Sequence, residues 1–264
     1  MQTPIGPSLS LVLHLADAVA EVSLAALNAA WERWIGPERF HRKLAQFERL
    51  GWLAGPPGKA NVKRIIRLTE AGRLAALGGR DPEACWRRPW DGRWRLALFD
   101  VPETQRALRI RFRRKLRSLG FGYLQNSVWI SPDSVDAVKA AVGEAAIDVE
   151  TLSFMEARPC GGEANADLVQ GAWDFERINR GYNLYLEVLA AAPLRTGRGK
   201  AWRNWFEVEW RAWARAVQAD PLLPEELLPA KYRGKEAWRR REERLRQLLR
   251  TKNASLAIEL KKTE

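Results

Sequence analysis

Residues 94–131, WRLALFDVPETQRALRIRFRRKLRSLGFGYLQNSVWIS, decide how the rest of the chain is read. A strand-like run from Trp94 to Phe99 stops at Asp100, and Pro102 and Thr104 then open a basic helix over Gln105–Leu119. A Gly-x-Gly turn, Gly120 and Gly122, leads into a second strand-like run around Gln125-Asn126-Ser127-Val128-Trp129. Strand, helix, turn, strand is half of a ferredoxin-like βαββαβ unit. An Ala/Val-rich helix near Ser134–Ala146 and a strand near Val149–Met155 supply the second half.

Upstream, residues 1–78 read as a small helical module with a hairpin. Leu9, Leu11, Val12, Leu15 and Val19 share one helical face, and Ser23 is placed to cap a second helix. Gly36-Pro37 starts a third, Pro37 suiting a first turn because it has no N–H to leave unpaired. Within that helix Phe40, Leu44, Phe47 and Leu50 form one apolar stripe, and Gly51 ends it. Two β-prone runs follow, Trp52-Leu53-Ala54 and Val62 to Leu68, joined by a Gly/Pro-rich loop, and Thr69 caps a short helix to about Leu77. Three helices and then a two-stranded hairpin is the order of a winged helix-turn-helix.

Charge agrees with that order. The formal net charge is +12 and the sequence pI about 10.1, a balance that favours a polyanionic partner. The first 30 residues hold no Lys or Arg, whereas the third helix and hairpin are rich in both. With the apolar stripe turned inward, Arg39, Arg42, Lys43, Gln46 and Arg49 are left for a DNA groove, and Lys59, Lys63 and Arg64 for backbone or minor groove from the wing. A solvated basic face on a protein-binding module is the competing reading. The helix Gln105–Leu119 carries seven further cations, Arg106, Arg109, Arg111, Arg113, Arg114, Lys115 and Arg117, with Leu108, Phe112, Leu116 and Leu119 facing the sheet. It is either a solvated surface helix or a second surface for DNA or for a phosphate-bearing ligand.

Residues 79–93, with Gly78-Gly79, Pro82 and Pro89 around them, read as a linker into the central domain, residues 94–160. Residues 161–264 read as an all-helical domain, its apolar positions dominated by Trp and interrupted by a proline-rich corner from Asp220 to Pro229, with a polar, frayed end after Thr251. The expected class is therefore multidomain α+β. Thirteen tryptophans suit core and interface positions, with a minority free to line a pocket for an aromatic or acyl ligand.

Catalytic chemistry is poorly represented. His14 and His41 are the two histidines, and no Ser/His/Asp or Cys/His system is visible. Cys85 and Cys160 lie far apart without a CxxC, which predicts reduced thiols in a cytoplasmic protein and no zinc site. No glycine-rich phosphate loop occurs, and no metal or other cofactor is expected. Asp100, ending a strand, is the one candidate metal ligand, as in a nuclease, but a metal needs converging carboxylates. The apolar run Leu9 to Val22 is broken by His14, Asp17 and Glu21 and falls short of the ~20 residues a membrane span needs. Neither export nor membrane insertion is signalled.

Several short motifs then carry a resemblance. They are Arg49-Leu50-Gly51-Trp52-Leu53, Arg67-Leu68-Thr69-x-x-Gly72, Trp90-Asp91-Gly92-x-Trp94-Arg95 and Phe99-Asp100-Val101-Pro102-Glu103. Leu119-Gly120-Phe121-Gly122, Gln125-x-Ser127-Val128-Trp129-Ile130-Ser131-Pro132 and Asp220-Pro221-Leu222-Leu223-Pro224 with Leu227-Leu228-Pro229 complete them. In this combination and order the chain resembles the PaaX family of transcriptional repressors, which control phenylacetate degradation in bacteria. The resemblance implies a homodimeric winged-helix repressor bound to double-stranded operator DNA, with a central domain similar to the small ferredoxin-fold CRISPR-associated nucleases. It also implies release from DNA by phenylacetyl-CoA, with no residue assigned to that effector. In the nuclease family an Asp at the end of the first strand serves the metal, and Asp100 occupies the matching place. The alternative function is thus a metal-dependent nuclease using Asp100. The chain departs from the family pattern in the wing, where Val62-Lys63-Arg64-Ile65-Ile66 stands in place of a tyrosine-bearing segment, so a different operator or acyl-CoA is possible.

Overall fold

The computed structural model describes residues 22–23, 37–55, 65–136, 138–140, 151–193 and 200–260. They fall into two compact units: Met1–Asp81 with Tyr182–Ala216 and Arg233–Glu264, and Pro82–Gly181 with Val217–Tyr232. The expected helical third is therefore shared between both.

In the first unit, α1 (Pro37–Arg49) buries Leu44 and Phe47. The residues expected to form the two preceding helices lie outside the described ones, except that Val22–Ser23 forms the short strand β1. α1 ends in a Schellman turn: Gly51 takes φ +67, Trp52 N–H donates to Phe47 O at 2.9 Å and Gly51 N–H to Glu48 O at 3.0 Å. Leu50, expected in the buried stripe, is 40% exposed because the helix stops one residue before it. The strands β2 (Leu53–Ala54) and β3 (Ile65–Leu68) pair antiparallel, Leu53 opposite Leu68, and β1 adds to the other side of β3, for the order β1-β3-β2. Thr69 then caps α2 (Glu70–Ala76) by accepting from Gly72 N–H at 3.0 Å, as expected from the sequence.

The second unit opens with α3 (Pro82–Arg87), inside the stretch read as a linker, with Trp86 buried. β4 (Trp94–Asp100) follows, then a 3-10 turn at Glu103–Gln105, α4 (Arg106–Ser118), β5 (Gly122–Gln125), β6 (Val128–Ser131) and β7 (Thr151–Ala157). All strands are antiparallel in the order β5-β6-β4-β7, which is the ferredoxin-like arrangement. Residues 136 and 138–140 are helical between β6 and β7, and the rest of that expected crossover lies outside the described residues. The second strand-like run of the sequence is in fact a hairpin. Asn126, at φ +46, turns the chain between β5 and β6, a conformation Asn tolerates because its side chain bonds locally.

Alternation along β4 covers both faces of the sheet. Ala97 and Phe99 join Phe112, Leu116, Phe121 and Trp129 on the α4 side, while Trp94 and Leu96 join Ile130, Val169, Trp173, Leu223 and Leu227 on the other. The second layer comes from α5 (Asn165–Ala172) and the proline-rich corner. Three further helices complete the described chain: α6 (Phe175–Ala190), α7 (Lys200–Ala219) and α8 (Gly234–Leu260). α8 continues through the end that reads as frayed. No described helix is long and apolar enough to cross a membrane.

Candidate nucleic-acid interface

α1 is positioned by the two motifs that bracket the hairpin. Thr69 Oγ1 donates to Gly51 O at 2.6 Å, and Thr69 N–H donates to Trp52 O at 3.0 Å. Gly72 then comes so close to Trp52 that a Cβ there would lie 2.2 Å from its carbonyl oxygen. The Trp52 ring lies 5.9 Å from that of buried Phe47. Helix end, hairpin and α2 are thus clasped together.

On that support, Arg42, Gln46 and Arg49 recur at four and three residues, on one side of α1 and away from Leu44 and Phe47. Arg42 and Arg49 are exposed and Gln46 is half-buried. Arg39 and Lys43 stand on the same helix. Lys59, Lys63 and Arg64 fall outside the described residues. The arrangement offers cations and an amide along one helix face, chemistry suited to phosphates and base edges.

A second basic surface belongs to α4, which has seven cations and no acidic residue. Arg106, Arg111, Arg114, Lys115 and Arg117 are exposed. The Arg117 guanidinium sits 5.1 Å from the centre of the buried Trp129 ring, and that of Arg113 sits 5.9 Å from Tyr123.

Asp100 is exposed at the end of β4, paired in register with Thr151. Among the described residues no group of three His, Cys, Asp or Glu side chains could hold a metal. Neither Cys85 nor Cys160 is in a disulfide.

The remaining motifs have structural partners in the second unit. Gly120 takes φ +88 and its carbonyl accepts from Trp173 Nε1 at 3.2 Å, while Gly122 leaves the space that this ring fills, since a Cβ there would be 2.6 Å from it. Asp91 accepts two bonds from Arg95, at 2.7 and 2.6 Å, and this pairing holds its carboxyl down at about 2. The Trp90 ring packs at a tilt against Trp94, and Trp94 against Trp173, with ring centres 5.2 and 6.1 Å apart. Arg88 donates to both Asp133 oxygens and to Leu222 O, tying the Ser131-Pro132 turn to the proline-rich corner. Asp220 accepts from Leu222 N–H and from the Tyr232 hydroxyl. Between these elements runs a groove of about 1320 Å³, lined among others by Tyr123, Trp173, Arg177, Asp220, Leu228 and Lys231.

A buried polar cluster in the first unit is absent from the sequence reading. Glu209 and Arg241 are 0% and 1% exposed, with Arg241 Nε donating to Glu209 Oε1 at 2.9 Å and the Tyr185 hydroxyl donating to the same oxygen at 2.9 Å. Burial, reinforced by the neighbouring carboxylate, pushes the Tyr185 phenol well above its ordinary range. Arg241 lies over the Trp213 ring, whose Nε1 donates to Leu77 O at 3.0 Å. A carboxylate at helical spacing inside the stripe Trp205, Phe206, Trp213 is the signal that would have found it.

Comparison with known proteins places these features. No curated protein matches the chain. The solved structure of the uncharacterized protein Rv0674 from Mycobacterium tuberculosis is similar, with a TM-score of 0.59 and 24% identity over 94% of this chain and 96% of that one, a likeness in fold. Residues 87–169 match the PaaX protein central Cas2-like domain, and residues 173–256 match the PaaX-like protein C-terminal domain. With the ferredoxin-like sheet in the first segment and the helices in the second, this chain belongs to the PaaX family, a family of transcriptional regulators.

Proposed function

We propose that this protein is a DNA-binding transcriptional repressor, acting as a homodimer on operator DNA, rather than an enzyme. Residues 1–78 serve as its winged helix-turn-helix, followed by a junction at 79–93, a central domain at 94–160 and a helical domain from 161 onward. The observation that carries the reading is α1, with Arg42 and Arg49 exposed on one side and its end clasped to the hairpin through Thr69 and Gly51. Arg39, Lys43 and Gln46 complete the set assigned to the DNA groove, and Lys59, Lys63 and Arg64 are assigned to the wing. The controlled operon is one for aromatic-acid catabolism, and the releasing effector is an aryl-acyl-CoA such as phenylacetyl-CoA. The groove supports that choice, because its lining includes Arg177 and Lys231 as well as Trp173, which suits an anionic ligand with an aromatic end.

The test is fluorescence anisotropy of the full chain with duplex from its own upstream region, at ~0.15 M salt, where loose electrostatic binding is weakened. Tight binding that phenylacetyl-CoA reverses is the expected result. Arg42→Ala and Gln46→Ala should relax sequence preference, whereas Lys59→Ala and Lys63→Ala should weaken all duplexes alike. Absence of tight binding, together with Asp100-dependent cleavage in magnesium or manganese, would replace the repressor with the nuclease.

A further inference from the structure

α4 differs from five other described helices in having no acid of its own to pair with its cations. α2, α3, α6, α7 and α8 each pair an arginine with an acid one turn away: Arg73 with Glu70, Arg87 with Glu83, Arg180 with Glu176, Arg211 with Glu207 and Arg240 with Glu236. α4 has no acidic residue, and among the described residues Arg106, Arg111, Arg114 and Lys115 have no ion-pair partner. Like charges one turn apart oppose helix formation, and Arg106 stands in the first turn, against the helix dipole. An arrangement that works against its own helix gains most from a polyanion outside it.

The apolar side of α4 is already used. Leu108, Phe112 and Leu116 pack into the core of the sheet, and Ile110 alone is a large exposed apolar group on the helix. No second apolar face remains to enter a lipid surface, so a membrane is a poor occupant. The cations, in contrast, are ordered. Arg106, Arg113 and Arg117 recur at seven and four residues along one side, with Arg114 beside them. The rings of Tyr123 and Trp129 hold the guanidinium groups of Arg113 and Arg117, which lowers the entropy lost when those groups engage an anion. Arg113 Nε is buried without a hydrogen-bond partner. At ~1.5 Å per residue, Arg106 to Arg117 spans about 16 Å. One strand of duplex DNA presents a phosphate every ~3.4 Å of its axis, so several phosphates fall within that length.

We infer that the Arg106, Arg113, Arg114 and Arg117 ridge is a second DNA-binding surface, engaging backbone phosphates of the duplex without reading bases. The inference rests on the repressor reading and adds a contact separate from α1. Its contribution is uniform across sequences and depends on salt.

The experiment measures binding of the full chain to its upstream duplex and to a scrambled duplex between about 0.05 and 0.2 M salt. It compares the native chain with Arg106→Gln/Arg114→Gln/Arg117→Gln and with the charge-preserving Arg106→Lys/Arg114→Lys/Arg117→Lys. Thermal melting is followed in parallel, so that a folding defect is seen separately. The Gln variant should weaken both duplexes by the same factor and reduce the slope of log affinity against log salt by about two to three. The Lys variant should keep the native slope. A native slope in a folded Gln variant overturns the ridge and leaves the repressor reading standing. Loss of binding confined to a single-stranded RNA probe also overturns it and identifies RNA as the occupant. Failure of the native chain to bind any duplex overturns both.

Discussion

Gly72 lies beneath the backbone of Trp52, with so little room that a Cβ would come within 2.2 Å of the Trp52 carbonyl oxygen and 2.7 Å of Leu68 Cδ1. This contact joins two of the short motifs of the N-terminal module across the hairpin, and backbone cannot yield as a flexible side chain does. Gly72→Ala should therefore destabilise the chain by about 1–3 kcal/mol, the range for overpacking. A urea melt measures the loss. An unchanged midpoint would mean that α2 can move away from Trp52 without cost.

Arg88 holds three parts of the second unit together, through both Asp133 oxygens and the Leu222 carbonyl. Leu222 is fully buried at φ +53, so its carbonyl has no ready alternative partner. Arg88→Met keeps most of the stem and removes the charge-assisted bonds, and should cost roughly 1.5–3 kcal/mol. Denaturant unfolding followed by tryptophan fluorescence is the readout.

The Glu209–Arg241 pair is removed from water, so each partner alone is more costly than the pair is valuable. Arg241→Met should destabilise by about 3–5 kcal/mol by stranding the carboxylate, whereas Arg241→Met with Glu209→Leu should recover much of that. Tyr185→Phe should cost about 1 kcal/mol, since Glu209 keeps its bond to Arg241. A double-mutant cycle gives the coupling directly, and additive losses would show that the two residues act independently.

Asp91 offers a pH test. Its carboxyl titrates at about 2 in the folded chain against 3.8 ordinarily, chiefly through the hydrogen bonds from Arg95. A folded value below the unfolded one means that the stabilisation is present above 3.8 and is lost as pH falls towards 2. NMR titration of the Asp91 carboxyl should give that low midpoint, and Arg95→Met should return it towards 3.8.

Local features of the chain carried much of the architecture. The alternation Trp94, Leu96 against Ala97, Phe99 placed a two-faced strand, Thr69 capped α2, and Gly51 ended α1. These readings work because alternation, caps and positive-φ turns are decided within a few residues. The hairpin at Asn126 was harder, since Gln125 to Trp129 has strand-like composition and only Asn126, left-handed, and Ser127 separate β5 from β6. Leu50 obeyed the apolar spacing and still emerged exposed, because spacing does not say where the helix ends.

By itself the sequence determined the strand β4, the helix α4 after it, the family motifs, and the concentration of cations on α1 and α4, all of which depend on neighbours along the chain. Tertiary structure decided what the motifs are for: Gly72 makes room for Trp52, Gly122 for Trp173, and Arg88 reaches Asp133 and Leu222. It also decided that Glu209 would be buried and answered by Arg241 and Tyr185. Close approach and the removal of a charge from water are properties of atoms brought together from distant positions, and no local pattern encodes which distant residue will arrive.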